Sequence, residues 1–376
     1  MKEIDQEAVR RLVDDVVRPN VAQWDRDDVL PAEVLERLGA LGVPGALVPE
    51  AYGGCAVPVA DMVDVWRTLA QGWISLTGAV NTTALGTQLL VRYGTEEQRQ
   101  RWLPGIATGE VWSSFSITEP GAGSDLRRLA TTVEPAEGGL VVTGRKRWIA
   151  GGFSFPLTFM LARIAGQERP SCVVLPSEGR GSETWKTEPL DKLGYRGVES
   201  AAWTFDAHFV PGAEILGGAE GQGARQMVDV LSVGRVNVAC RGLGIIDRAL
   251  EGALGEATGR EIGPGVLGDY SHTALRIGEL RARQLVVEAA VRRAAEAIDG
   301  GEAEAGERAS AAKTMASESA VWAVEQASRL AASRSYTEGD ELARLRRDAP
   351  QTQIGEGAND SLLIAAGRAM IKRRTA

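Results

Sequence analysis

Apolar positions change their period twice along the chain. Near the start, Glu7-Ala8-Val9-Arg10-Arg11-Leu12-Val13 and Ala32-Glu33-Val34-Leu35-Glu36-Arg37-Leu38 set apolar side chains three and four residues apart. That is the period of a helix with one buried face. Ala51-Tyr52-Gly53-Gly54 reads as a loop by its glycines. Tyr93-Gly94-Thr95-Glu96-Glu97-Gln98 reads as a helix end, a Thr cap and a new acidic first turn. Residues 1–112 are thus expected as an N-terminal helical domain.

Between 113 and 222 the apolar runs shorten. Leu140-Val141-Val142-Thr143, Leu157-Thr158-Phe159-Met160-Leu161, Cys172-Val173-Val174-Leu175 and Ala202-Trp203-Thr204-Phe205 sit between Gly, Pro and Glu clusters. Strands of about 4–6 residues at this rhythm predict a small β-sandwich or barrel. From 223 to 376 the helical period returns. Leu280, Val287, Val291, Ala294 and Ile298 share one face until Gly300-Gly301 breaks the helix. Ala312, Met315, Ala316, Trp322, Ala323 and Leu330 predict a second long helix at similar spacing. The expected fold is mostly α with a central β domain, in the order helical, β, helical.

Composition narrows the function. The 376 residues are enough for two or three domains at ~150 residues each. Three scattered cysteines, Cys55, Cys172 and Cys240, cannot form a disulfide framework, and two histidines make a histidine-rich metal site a poor expectation. A net charge of −8 argues against nucleic-acid binding. No run reaches the ~20 apolar residues of a membrane span, and the charged start lacks the apolar stretch of a secretion signal. A cytoplasmic protein with no membrane partner is expected.

Three local signals could carry chemistry. In Ser116-Ile117-Thr118-Glu119-Pro120-Gly121-Ala122-Gly123-Ser124-Asp125, the glycines and proline force a tight loop. Its exposed N–H groups could bind an anion or a polar ring edge; the same pattern also fits a decorated turn. Lys146-Arg147-Trp148-Ile149-Ala150-Gly151-Gly152 follows a strand, and Trp148 could wall a planar cofactor or pack in the core. Arg347-Asp348-Ala349 leads to Gln353-Ile354-Gly355-Glu356-Gly357, where a carboxylate between two glycines could be aimed into a cavity or stand on an exposed turn.

In this order and spacing, the three signals resemble the acyl-CoA dehydrogenase family. The resemblance takes in Tyr93–Gln98, Leu103-Pro104, the T-E-P-G-A-G-S-D run at 118–125 and Gly144–Ile149. It continues through Val210-Pro211, Gly221-Gln222-Gly223, Tyr336-Thr337-Glu338 and the tail to Glu356-Gly357. It implies a helical domain, a β domain and a C-terminal four-helix bundle. It also implies FAD-dependent α,β-dehydrogenation of an acyl thioester, in which a glutamate takes the α-proton and flavin N5 takes the β-hydride. Hydrogen bonds from the flavin ribityl hydroxyl and the glutamate's own N–H would steady the thioester oxygen.

Carried over by position, Glu356 matches the base and Arg235 the arginine near base and thioester. Some members place the base one residue before that arginine, where this chain has Gly234. Phe115, Ile117, Thr118 and Ser124 match the segment along the flavin, Ser124 also approaching the pantetheine arm. Trp148 matches an indole packed on the flavin, and Arg260 an arginine that reaches the FAD pyrophosphate of a neighbouring subunit. A homodimer or homotetramer is implied, with an acyl group on coenzyme A or an acyl carrier protein. The electron acceptor would be an electron-transferring flavoprotein or oxygen.

The chain also departs from the family pattern. Ala150 replaces the usual Thr beside flavin N5. Arg329 and Ala332-Ser333 stand where a Gln and a Gly-Gly pair hold the adenosine half of FAD. Ala358, Asn359 and Asp360 replace the usual Thr and the polar contact after Glu-Gly. Gly355 replaces an aromatic residue, which would widen the acyl pocket or merely serve the turn. Such drift fits a specialised, secondary-metabolic pathway. A flavin monooxygenase on the same fold, or a non-catalytic flavin- or acyl-binding relic, are the alternatives.

Overall fold

The structure, a computed structural model, describes residues 4–123 and 125–375. The first segment is helical: α1 (Gln6–Arg11), α2 (Arg18–Asp27), α3 (Ala32–Ala40), α4 (Val59–Gly72), α5 (Ile74–Tyr93) and α6 (Glu96–Thr108). A π-helical turn, Leu12–Val17, joins α1 to α2. Thr95 caps α6 in a reciprocal box with Gln98, as the acidic first turn suggests. Helix α5 is buried almost all round, so Thr77, Asn81, Thr83 and Thr87 lie inside the protein.

The central sheet contains β1 (Ser113–Ser116), β2 (Thr132–Ala136), β3 (Gly139–Ala150), β4 (Leu157–Ile164), β5 (Pro170–Pro176), β6 (Trp185–Pro189), β7 (Ser200–Pro211) and β8 (Glu214–Ile215). Their order is β6-β7-β3-β2-β4-β5-β8, with β1 parallel to β4 on the side where β2 also meets it. Strands β3 and β7 are each 12 residues long, twice the expected length. Their pairing shifts register between Val142 and Gly144 and again between Lys146 and Ile149. Each bulge swaps the faces of the residues beyond it, so the alternation along β3 breaks and the sequence shows only fragments. Gly144 has φ +140°, and a Cβ there would come within 2.7 Å of the Thr131 backbone.

The last segment holds α7 (Gly223–Gly259), a short hairpin of β9 (Glu261–Ile262) and β10 (Gly265–Val266), α8 (Ser271–Asp299), α9 (Ala305–Ala331), α10 (Glu341–Ile354) and α11 (Asn359–Thr375). Leu280, Val287, Val291 and Ala294 form the buried face of α8, and Ile298 is half-buried. On α9 the stripe differs from expectation. Met315 is exposed and Trp322 is only half-buried, its ring covered by the Arg283 guanidinium at 4.2 Å. Lys313, Ser317 and Ala320 point inward there instead.

Two apolar cores meet at one level. One joins the early helices to the bundle; the other joins α5 and α6 to β1, β4 and β5. Helix α5 passes between them at Ala84 and Leu85, and α7 at Val230 and Val233. A third core, including Trp185, Trp203 and Phe205, fills the sheet. No described helix is long and apolar enough to cross a membrane.

Candidate active site

Where the first two cores meet, the short connection from α10 to α11 carries Glu356. Its backbone is left-handed (φ +54°), beside Gly357 at φ +102°, while Gly355 before it is extended at φ −63°. A non-glycine residue in that region is uncommon and strained, and such strain gathers at functional positions. Several long-range contacts hold it. The Glu356 Oε1 accepts a 2.6 Å bond from Asn81 Nδ2 on α5, and its carbonyl accepts one of 3.3 Å from Arg235 Nε on α7. Lys313 Nζ donates to the carbonyls of Gln353 (3.0 Å) and Gly357 (2.8 Å) and to Asn359 Oδ1 (2.8 Å). One ammonium thus ties both shoulders of the loop.

Glycine at 234 is needed for space. A Cβ there would approach Glu356 Cδ at 3.1 Å and Oε2 at 3.3 Å. Sequence reading placed Glu356, Gly234 and Arg235 together, and the structure brings these three into one place. It did not find Asn81, Lys313 or Arg241, which lie far away in sequence on helices α5, α9 and α7.

Glu356 retains some exposed surface as a residue, but its carboxylate is enclosed. Burial pushes its proton affinity above the usual carboxylate range, opposed by Arg241, Asn81, Arg235 and Lys313. Burial likewise lowers Lys313 to about 8. A carboxylate with raised proton affinity is a stronger base, which suits removal of a weakly acidic proton.

The second group of expected residues lines the sheet-side loop. Trp148 occupies the second bulge of β3 with φ +62°, which turns its ring off the sheet and leaves it 54% exposed. It therefore lies within β3, where the sequence suggested a segment following a strand. Phe115, Ile117, Thr118 and Ala150 are half-buried around it. The Thr118 carbonyl accepts from Arg147 N at 2.9 Å, and the Ala150 carbonyl accepts from Ser114 Oγ at 2.7 Å. Beneath, fully buried Lys146 donates to Glu119 Oε1 (2.8 Å), the Leu161 carbonyl (2.5 Å) and the Ile117 carbonyl (3.3 Å). Glu119 also accepts from Ala130 N (2.7 Å) and Thr131 N (3.0 Å), so the glycine-rich run is anchored at its second residue.

These residues fit a flavin ring. An exposed indole with the half-buried Phe115 and Ile117, which share one face of the extended chain, offers an apolar shelf. Gly121 and Gly123 face open space. Ser124 lies outside the described residues. Arg260 ends α7, 25 residues or ~38 Å of helix from Arg235, and donates to the Leu330 carbonyl at 3.0 Å. Within one chain it is remote from Glu356. A Cβ on Gly355 would lie 2.8 Å from Gln351 Nε2, so the Gln351 amide already stands beside that position. A cleft of about 570 Å³ between α2 and α10 lies away from these residues; Arg196 and Arg347 are in its wall.

Comparison with known proteins agrees with this architecture. Family models described as the acyl-CoA dehydrogenase N-terminal, middle and C-terminal domains match residues 2–110, 114–208 and 221–371. An acyl-CoA dehydrogenase of Bacillus subtilis is 30% identical over 369 residues, covering 95% of each chain. A (2S)-methylsuccinyl-CoA dehydrogenase of Cereibacter sphaeroides is 32% identical over 253 residues, 64% of this chain and 46% of that longer one. A solved acyl-CoA dehydrogenase of Geobacillus kaustophilus superposes with a TM-score of 0.90 at 26% identity, covering 97% of this chain and 96% of that one. The chain belongs to the acyl-CoA dehydrogenase family, the flavin-dependent oxidoreductases of acyl thioesters.

Proposed function

We propose that Glu356 is the base of an α,β-dehydrogenation of an acyl thioester. The observation that carries this reading is a strained, tethered carboxylate whose surroundings raise its proton affinity. Glu356 takes the α-proton, and the electrons of that C–H bond form the new α,β double bond. FAD, when bound, supplies the acceptor for the β-hydride. Phe115, Ile117, Thr118, Trp148 and Ala150 would hold it, and Arg235 fixes the backbone from which Glu356 reaches the substrate. Asn81 orients the carboxylate through Oε1 and leaves Oε2 free to receive the proton.

The acyl carrier is coenzyme A or an acyl carrier protein, and the electrons pass on to an electron-transferring flavoprotein or oxygen. Arg260 and the 329–333 segment, which lie together at one end of the bundle, would complete the adenosine end of FAD in a homodimer or homotetramer. Ser124 and Gly355 belong to the substrate side of this reading, and the cytoplasm is the expected location.

The test is Glu356→Gln, which keeps the shape and removes the proton acceptor. Flavin absorbance should persist, while anaerobic bleaching across a panel of acyl thioesters slows by roughly 10²–10⁴-fold. Near-normal bleaching by the variant would sink the assignment. Bleaching of the wild type only by a reduced nicotinamide, followed by oxygen-dependent product, would favour the monooxygenase.

A further inference from the structure

Beyond Glu356, the space between α5 and α7 is polar and positively charged. Gly234, Asn237 and Arg241 follow one another on a single face of α7, at the i, i+3, i+7 spacing of a helical stripe. From α5, the Thr77 carbonyl meets Arg241 directly, Asn81 reaches Glu356, and Gly78 lies against Tyr195, itself a partner of Arg241. Arg241 is only 2% exposed. Its guanidinium donates to Asn237 Oδ1 (3.1 Å), Tyr195 Oη (2.9 Å), Gln351 Oε1 (3.4 Å) and the Thr77 carbonyl (3.5 Å). Every one of those acceptors is neutral.

Charge here does not balance. Arg235, Arg241 and Lys313 all act on Glu356, the one carboxylate among them. The next carboxylate, Asp348, is turned to Tyr195 N and stands beside Arg344 and Arg347. One carboxylate cannot balance three cations withdrawn from water, and neutral acceptors offset the remaining desolvation cost only in part. Two further buried amide atoms lack partners: Asn81 Oδ1 and Asn237 Nδ2, on residues 2% and 0% exposed. A free donor and a buried guanidinium on one stripe form a receptor for a carboxylate.

We propose that this polar end of the site receives a second carboxylate, so that the preferred substrate is the monothioester of a short dicarboxylic acid. The proposal rests on the dehydrogenation reading above. Its length limit follows from helix geometry. Side chains tilt toward the helix N-terminus, so the Arg241 guanidinium lies level with Asn237, one turn or ~5 Å beyond Gly234 and the base. That distance fits a diacid of about four to six carbons. A neutral straight tail would leave the excess positive charge around Arg241 uncompensated, and an ammonium tail would be repelled.

The experiment uses the FAD-loaded enzyme, an artificial electron acceptor and three thioesters of matched length: glutaryl-, pentanoyl- and 5-aminopentanoyl-coenzyme A. The glutaryl ester should exceed pentanoyl in kcat/KM by roughly 10–100-fold, with the amine lowest. Arg241→Met should bring the glutaryl-to-pentanoyl ratio close to one, and Arg241→Lys should restore part of it. Preference for pentanoyl in the wild type, which needs no variant to fold, overturns the proposal and leaves dehydrogenation standing. An unchanged ratio in a well-folded Arg241→Met overturns it equally. Bleaching by none of these, nor by added short and branched thioesters, overturns both readings.

Discussion

Two buried lysines hold the two halves of the site, and they do so by opposite electrostatics. Lys146 lies beneath the sheet-side loop and Lys313 beneath the Glu356 loop; both are fully buried and both are lowered by burial to about 8. Lys146 has a carboxylate partner. Burial alone would raise the Glu119 carboxyl, but the Lys146 charge and the Thr131 and Ala130 hydrogen bonds outweigh it and hold it below the usual range. Lys313 has only carbonyl and amide oxygens around it. The charge of Lys146 is neutralised on the spot, whereas that of Lys313 reaches Glu356. The first lysine fixes a shape, and the second fixes a shape and tunes a base.

The largest effect expected from this contrast is on stability. Lys146→Met would leave Glu119 buried without its cation, a loss of about 3–5 kcal/mol in urea unfolding at pH 7. Adding Glu119→Leu should recover much of that loss, because an apolar pair of similar volume often equals a buried ion pair. If the double variant is as unstable as the single one, the lysine does more than neutralise.

Lys313→Met should cost less, about 2–3 kcal/mol, since three neutral acceptors lose one donor. Its distinguishing readout is the pH profile. Glu356 must be ionised to act, so kcat/KM rises with pH through a midpoint above the ordinary carboxylate range. Removing the Lys313 charge moves that midpoint higher still, and Lys146→Met leaves it in place. Equal shifts in both variants would erase the distinction between the two lysines.

The smallest effect concerns a buried anion. Asp348 is fully buried, and burial raises its carboxyl from 3.8 to about 6. Between those values the folded state holds a proton that the unfolded state has released, so stability falls as pH rises from about 4 to about 6. The fall should be about 2 kcal/mol, and Asp348→Asn should flatten it. A persistent slope in the variant would move its origin to another group.

The order of domains was legible because helical and strand periods differ and the chain switches between them cleanly. The capped start of α6 was legible because Thr95 and Gln98 are three residues apart and need nothing distant. Glu356 was found through resemblance, since a glutamate between glycines is otherwise an ordinary turn. Strands β3 and β7 were cut short because two bulges reverse the faces along β3. Asn81, Arg241 and Lys313 escaped notice for a different reason. Each is a polar residue on a helix, which periodicity assigns to a solvated face, and what buries it is a helix far away in sequence. Lys313 left one trace: it is the lone cation in Ala309-Ser310-Ala311-Ala312-Lys313-Thr314-Met315-Ala316.

The contact between Gly234 and Glu356 has an evolutionary side. A Cβ at 234 points at the carboxylate from about 3 Å, so the helix and the loop give access to the same volume from opposite directions. Only one of them can fill it at a time. A chain that moved its carboxylate to the helix could place glycine at 356, where φ +54° imposes no penalty on a residue without a Cβ. The route between the two arrangements runs through a pair of reciprocal substitutions, Gly234→Glu and Glu356→Gly. The geometry couples these positions, so each limits which residues the other can accept.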